Sequence, residues 1–302
     1  MNESSVTTPL SPAAGTHVEL APGRAPAGFV SRLLAQPGPA VSAVFLACVL
    51  AMALVAPFIP GLDPNEVSLS NVLEGPSWGH WLGYDNIGRD IVSRLVFASR
   101  VSLTAAAVAM LVALAIGLPL GLVSGYFAGR LDLALSRVFD ALIAFPPLVL
   151  AIVVVAVLRP GIVPAMIAIG IINAPTFYRV VRSAALDLRS ETYIEAARVA
   201  GASSTRIMLR HVLPNIRAVL LVQIALTMSS AIIVEASLSF IGLGVQLPQA
   251  SWGSMLRQAT SYMGSAPLTF VLSPIVTIVA VVLAFNTLSD GLRGAFGRRD
   301  TR

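Results

Sequence analysis

Side chains able to do covalent or ion-coupled chemistry are scarce in this sequence. His17, His80 and His211 lie far apart and match no metal-ligand spacing, so no metal site is expected. The single cysteine, Cys48, excludes an intrachain disulfide and sits in an apolar run where a thiol packs as a small hydrophobe. All 20 basic residues are arginine. A phosphate-binding loop of the form G-x-x-x-x-G-K-S/T needs a lysine, so a P-loop ATPase driving this protein must be another chain. No paired carboxylates and no nucleophile beside a base stand out, which argues against an enzyme. What remains are polar groups inside apolar segments, functional candidates by default. Asp140, Asn173 and Glu235 are therefore candidates for a translocation path or a subunit interface. Two have plainer alternatives: a local ion pair with Arg137 or snorkelling for Asp140, and a helix–helix hydrogen bond or a cap for Asn173. Glu235 lies roughly 25 Å along its helix from Ala218, towards the outer face.

The elements that position these residues are membrane helices. Apolar residues make up 56% of the 302 and charged ones 12%, with mean hydropathy +0.82. Soluble domains carry about 25% charged residues, so this is an all-α integral membrane protein. A bilayer core of about 30 Å needs roughly 20 apolar residues as helix. Six segments qualify, at 41–59, 102–125, 139–158, 161–178, 218–238 and 270–288. The third contains Phe145, Pro146 and Pro147 and should kink. With both termini cytoplasmic, fifteen arginines fall inside and five outside, a positive-inside bias. Residues 1–36 read as a flexible cytoplasmic tail and 294–302 as a second one. Residues 37–100 form the first span with an extracytoplasmic segment, in which Trp78, Trp81 and Tyr84 are placed as interfacial anchors. There Ile91, Val92, Leu95 and Val96 share a helical face. Residues 101–293 form the core transmembrane domain. In its second span, 117–125 is rich in small residues and allows close backbone approach, within this chain or at a subunit interface.

Between the fourth and fifth spans the chain inserts a polar stretch, 183–215, much longer than a usual helix connection. Glu191, Glu195 and Arg198 are spaced for i, i+3/i+4 pairs on one short helix. Gly201 is a natural C′ stop. Ser203 or Ser204 can cap a second helix, and Pro214 closes it. A helical hairpin of this length is expected to dock a partner.

At these residues the sequence resembles a known family. Glu195-Ala196-Ala197, then Gly201, then Leu213-Pro214 match the EAA signature of permease subunits in ABC importers. His211 stands where many members have Ile, and H-x-L-P-N suits the oligopeptide/dipeptide/nickel branch. Gly83–Asp90 resembles that branch's G-T-D-x-x-G-R-D, with Tyr84 in place of Thr. Residues 238–244 and 251–256 resemble its L-S-F-L-G-L-G and S-W-G-x-M-L, and Asp63-Pro64-Asn65 also fits. The resemblance covers about residues 38–293, and the C-type subunit of the permease pair is the nearest form.

The resemblance implies a type I importer permease fold of six spans with a cytoplasmic coupling helix. It implies ATPase coupling through Glu195, Ala196, Ala197, Gly201, Leu213 and Pro214. The implied partners are a second, B-type permease, one or two ATPase subunits or domains carrying ATP and Mg, and an extracytoplasmic substrate-binding protein, with lipid around the spans. No cofactor in this chain and no nucleic acid partner are expected. Di- or oligopeptides are the expected cargo, with nickel, glutathione or another small solute as alternatives. Gly201→Asp is expected to leave the protein in the membrane while abolishing transport. An ion-coupled secondary transporter is the rival class, but repeated halves and midplane charges are not evident. A scaffold or channel subunit is another rival, and neither rival needs an ATPase partner.

Overall fold

A computed structural model describes residue 33 and residues 35–297. Most of the two expected tails lies outside these residues. The described part of the second tail continues a helix to Gly297.

Ten helices carry the described chain: α1 (Pro37–Val55), α2 (Ile91–Phe127), α3 (Gly129–Ile143), α4 (Pro147–Leu158), α5 (Ile162–Arg189), α6 (Thr192–Val199), α7 (Ser204–Ile207), α8 (Arg217–Ile241), α9 (Trp252–Thr260) and α10 (Leu268–Gly297). Among the described residues the only strand-like pairings are two isolated bridges, Ser77 with His80 and Tyr84 with Asp90. Five helices, α1, α2, α5, α8 and α10, are long and apolar enough to cross a membrane. The sixth expected span is α3 and α4 together, bent by 92°. That exceeds the expected kink. Consecutive prolines remove two helical donors and push Phe145 and Pro146 away from helical backbone, so the ladder stops there. The 12 residues of α4 cover only about 18 Å alone.

Three helices, α2, α5 and α10, outrun their expected spans. The 37 residues of α2 make about 55 Å and absorb the outer amphipathic run into one rod. Its buried side there is Ile91, Arg94, Ala98, Ser102 and Ala105; Val92, Leu95 and Val96 are only half-buried. At the other end, α5 carries the fourth span into the cytoplasmic region and leads directly into α6.

Close backbone approach holds α2 against α5. A Cβ on Gly117 would sit 2.5 Å from Phe177 Cβ, and one on Gly121 would sit 2.8 Å from Val181 Cβ. The small-residue run therefore serves packing inside this chain. A core of buried residues from α2, α4, α5, α8, α9 and α10 fills the bundle. A second, smaller cluster lies at its cytoplasmic end.

Candidate functional site: a cytoplasmic hairpin and its attachments

The hairpin is built from local signals. α6 ends in a Schellman turn: Ala202 N–H reaches Ala197 O at 3.1 Å and Gly201 N–H reaches Arg198 O at 3.0 Å. Gly201 supplies the left-handed residue, φ +81°, and a Cβ there would meet open space. Its requirement is therefore backbone conformation alone. Ser203 caps α7, its hydroxyl accepting from Arg206 N–H. The helix then widens into a π turn over Met208–Val212 before Leu213–Asn215. Pro214 explains the widening, because it has no N–H for the carbonyl four residues back and its ring crowds that carbonyl.

Asn215, which the sequence reading did not single out, ties the two limbs. Its Nδ2 donates to His211 O at 2.7 Å and to the Tyr193 phenol at 3.1 Å. Burial and the nearby Glu191 push the Tyr193 phenol above its ordinary pKa, against the pull of the Asn215 hydrogen bond. Ile194, Ile207, Val212 and Ile216 are buried with Leu122, Tyr126, Val181 and Ala185, which roots the hairpin in α2 and α5.

The outward face is left unsatisfied. Glu195 has no side-chain partner among the described residues, and the expected pair with Arg198 does not form; Arg198 instead lies 5.8 Å over the Tyr126 ring. Ala196 is exposed, Ala197 half-buried, Leu213 half-buried and Pro214 exposed. Val199 is 90% exposed at the tip, with Leu209 also exposed on the second limb. Exposed apolar side chains beside free charges make a surface suited to a protein partner.

The helix feeding the hairpin is braced against α3. Arg182 donates through Nε and Nη2 to the two oxygens of Asp132, the second contact at 2.7 Å. Asp132 also accepts from Ser124 and Ser136, and both serines hydrogen-bond Tyr178 Oη. The Phe139 ring stacks on Tyr178 at 4.1 Å. Asp140 belongs to the same brace: its partner is Arg179 of α5, at 2.7 Å, and not Arg137. A helical i, i+3 spacing suggested Arg137, but the approach of α5 supplies a closer guanidinium.

At the opposite end, the two glycine-rich stretches interlock. Glu235 is 2% exposed and accepts from Ser102 Oγ at 3.0 Å and Ser239 Oγ at 2.7 Å. Ser102 Oγ in turn accepts from Trp252 N–H at the start of α9. Gly253 lies so close to α8 that a Cβ would fall 2.3 Å from Ala236 O. Glu235 is thus enclosed by groups of this chain. Asn173 is also buried, and its Nδ2 bonds Ile169 O of its own helix, not a neighbouring one.

The stretch 83–90 folds the outer cap. Asp85, fully buried, accepts from Ile87 N–H and Arg89 N–H and pairs with Arg89 at 2.7 Å and Arg94 at 3.4 Å. Asp90 caps α2 through Ser93 N–H and meets His80 at 3.0 Å. Gly88 (φ +81°) must be glycine, since a Cβ would fall 2.0 Å from Ser68 O. Tyr84 is buried against His80 and is no interfacial anchor, whereas Trp78 and Trp81 are exposed.

Comparison with known proteins agrees with this architecture. Residues 117–301 match the family described as binding-protein-dependent transport system inner membrane component. The chain is 43% identical over 255 residues to the dipeptide transport system permease protein DppC of Alkalihalophilus pseudofirmus, covering 84% of each chain. It is 41% identical over 268 residues to the glutathione transport system permease protein GsiD of Pectobacterium atrosepticum, covering 88% of this chain and 89% of that one. The inward-facing MetNI methionine ABC transporter shares the fold, with a TM-score of 0.58 at 20% identity over 68% of this chain and 97% of that one. Helices, family and relatives agree that this is a multi-pass inner-membrane protein, a permease subunit of an ABC importer belonging to the binding-protein-dependent transport family.

Proposed function

We propose that this chain is the C-type permease of a peptide importer, passing di- or oligopeptides inward and coupled through its hairpin to a separate ATPase. The observation that carries the coupling role is the contrast between the hairpin's two faces. One is fixed by a Schellman turn, the Asn215 tie and a buried isoleucine cluster, and the other leaves Glu195, Val199 and Leu209 without partners. Such an element moves as a rigid lever. Because α5 enters it and α8 leaves it, a push on the hairpin reaches two spans at once. Coupling of this kind requires two arrangements that each site favours differently.

In this reading ATP and Mg are held by the partner chain, and this chain is not an enzyme. A second, B-type permease and an extracytoplasmic binding protein complete the assembly. Peptide cargo is supported by the dipeptide relative, and the glutathione relative keeps a modified tripeptide as the second reading. The test is uptake into proteoliposomes holding the whole importer, with labelled dialanine and labelled glutathione compared. ATP-dependent dipeptide uptake is expected. Uptake of glutathione alone would replace the peptide reading, and uptake independent of ATP would overturn the importer assembly.

A further inference from the structure

A cavity of about 550 Å³ opens at the outer end, between the 85–90 loop and the α8–α9 elbow. Its wall includes Asn86, Gln246, Gln249, Arg257, Gln258 and Ser261, and among the described residues no acidic one lines it. Behind Gln258 lies an unbalanced charge cluster. Arg89 and Arg94 are both buried and share a single carboxylate, that of Asp85. Among the described residues Arg94 Nη1 has no hydrogen-bond partner, and Nε has only the 3.4 Å ion pair with Asp85. Buried charge without full compensation is costly, so the site is short of one negative group.

The excess charge is relayed to the cavity through one amide. Arg89 Nη2 and Arg94 Nη2 each donate to Gln258 Oε1 at 3.3 Å. Two cationic donors fix the carbonyl of that amide inward, which decides its orientation. The Nε2 end has no partner among the described residues, and the guanidiniums polarise its N–H groups as donors. Arg257 adds a guanidinium against the C-terminal end of α8, close enough that a Cβ on Gly242 would lie 2.4 Å from its Nη1, and it has no carboxylate partner among the described residues. Acceptors stand beside these donors. Gln246 spends its Nε2 on Gly242 O and Gly244 O, leaving Oε1 free, and Asn86 Oδ1 is buried without a partner.

Donors with positive charge next to amide acceptors match one chemistry: a carboxylate followed by a peptide N–H. We propose that this cavity receives the carboxylate end of a small peptide on its way into the transporter. The proposal rests on the peptide-importer reading above and adds to it a place and a polarity for the substrate in this chain. Side-chain identity is not read here, because amides bond the peptide backbone common to all sequences. Arg257 and Gln258 together supply the anion preference, and none of the described residues fills the cavity.

The test uses the complete importer in nanodiscs, with Cys48→Ala to remove the native thiol and Ser261→Cys to report on the cavity wall. The rate at which a methanethiosulfonate modifies that new thiol is measured without binding protein, in dialanine or in dialaninamide. At ten times its half-saturating concentration, dialanine should slow labelling about tenfold. The amide, which has no carboxylate, should leave the rate unchanged. Arg257→Gln should abolish protection and Arg257→Lys should keep part of it; Arg257 is exposed, and assembly of the variants checks their fold. Equal labelling with and without dialanine, or equal protection by the amide, would overturn the proposal. Protection by ligand-free binding protein but not by dialanine would also overturn it, assigning the cavity to docking. Peptide uptake by the unmodified importer is measured in parallel: if no peptide is transported, the importer's cargo has been misread whatever the labelling shows.

Discussion

Arg182 on α5 holds both oxygens of Asp132 on α3, so the helix entering the cytoplasmic hairpin is tied to the first half of a span broken at 92°. Tyr178 and Asp140 extend the tie along one side of α5, through Ser124 and Ser136 and through Arg179. Movement of the hairpin should therefore carry α3 with it.

Asp132→Ala leaves Arg182 without its bidentate partner and two serines without an acceptor. We expect a loss of about 1–2 kcal/mol of stability, limited by the partial exposure of the pair, seen as a lower melting midpoint in detergent. Arg182→Lys alone should also lower the midpoint, since an ammonium cannot reproduce the two parallel contacts. Exchanging the pair, Asp132→Arg with Arg182→Asp, should recover part of the loss. An unchanged midpoint in Asp132→Ala would show that the tie contributes nothing.

Asp85 is the shared counter-charge of two buried guanidiniums, so Asp85→Asn should cost about 3–5 kcal/mol. Folded protein recovered by size exclusion should fall sharply. Adding Arg94→Met should restore part of the yield, because one uncompensated charge is then removed. Full recovery of Asp85→Asn at the native yield would contradict the geometry of the outer cap.

Glu235 distinguishes an enclosed anchor from a substrate ligand. Glu235→Ala strands the hydroxyls of Ser102 and Ser239 at a cost of about 1–3 kcal/mol, and folded yield should drop. Glu235→Gln keeps one of the two acceptor oxygens and should leave the KM of peptide uptake unchanged. A large rise in KM with normal yield would instead place this side chain on the substrate.

Gly201 is constrained by φ alone, with open space where a Cβ would go. Left-handed backbone costs most side chains about 1–2 kcal/mol, but Asn and Asp adopt it more readily. Gly201→Asn should therefore melt close to the native protein and Gly201→Val well below it. If Gly201→Asp folds normally yet loses ATP-driven uptake, the space beside this residue is needed by a partner. Normal uptake by that variant would remove Gly201 from the coupling surface.

Local signals made the hairpin readable before any coordinates. The Gly201 stop and the Ser203 cap each act over a few residues and lie where spacing allows them, whereas Pro214 does not end the second limb but lies inside the helical turn Leu213–Asn215. Relationships between distant segments were not readable in this way. The partner of Asp140 depends on how α5 crosses α3, and the enclosure of Glu235 depends on α2 and α9 closing over α8. The length of α2 escaped because its buried stripe is made of Arg94, Ser102 and alanines, which hydropathy does not mark as core. Asn215 had a faint signal, its place directly after Pro214, yet its cross-limb bond to Tyr193 spans 22 residues.

The coupling claim is tested most directly at Val199, which is exposed at the hairpin tip and touches none of the hairpin's buried cluster. A charge there cannot disturb the fold of this chain, but it would disturb an apolar contact with an ATPase. Tagged native protein and Val199→Asp are purified from membranes side by side, and the co-eluting chains are quantified by mass spectrometry. We expect the second permease to remain with both and the ATPase to be lost from the variant. ATPase recovered with Val199→Asp at the native level, together with native peptide uptake, would contradict the account.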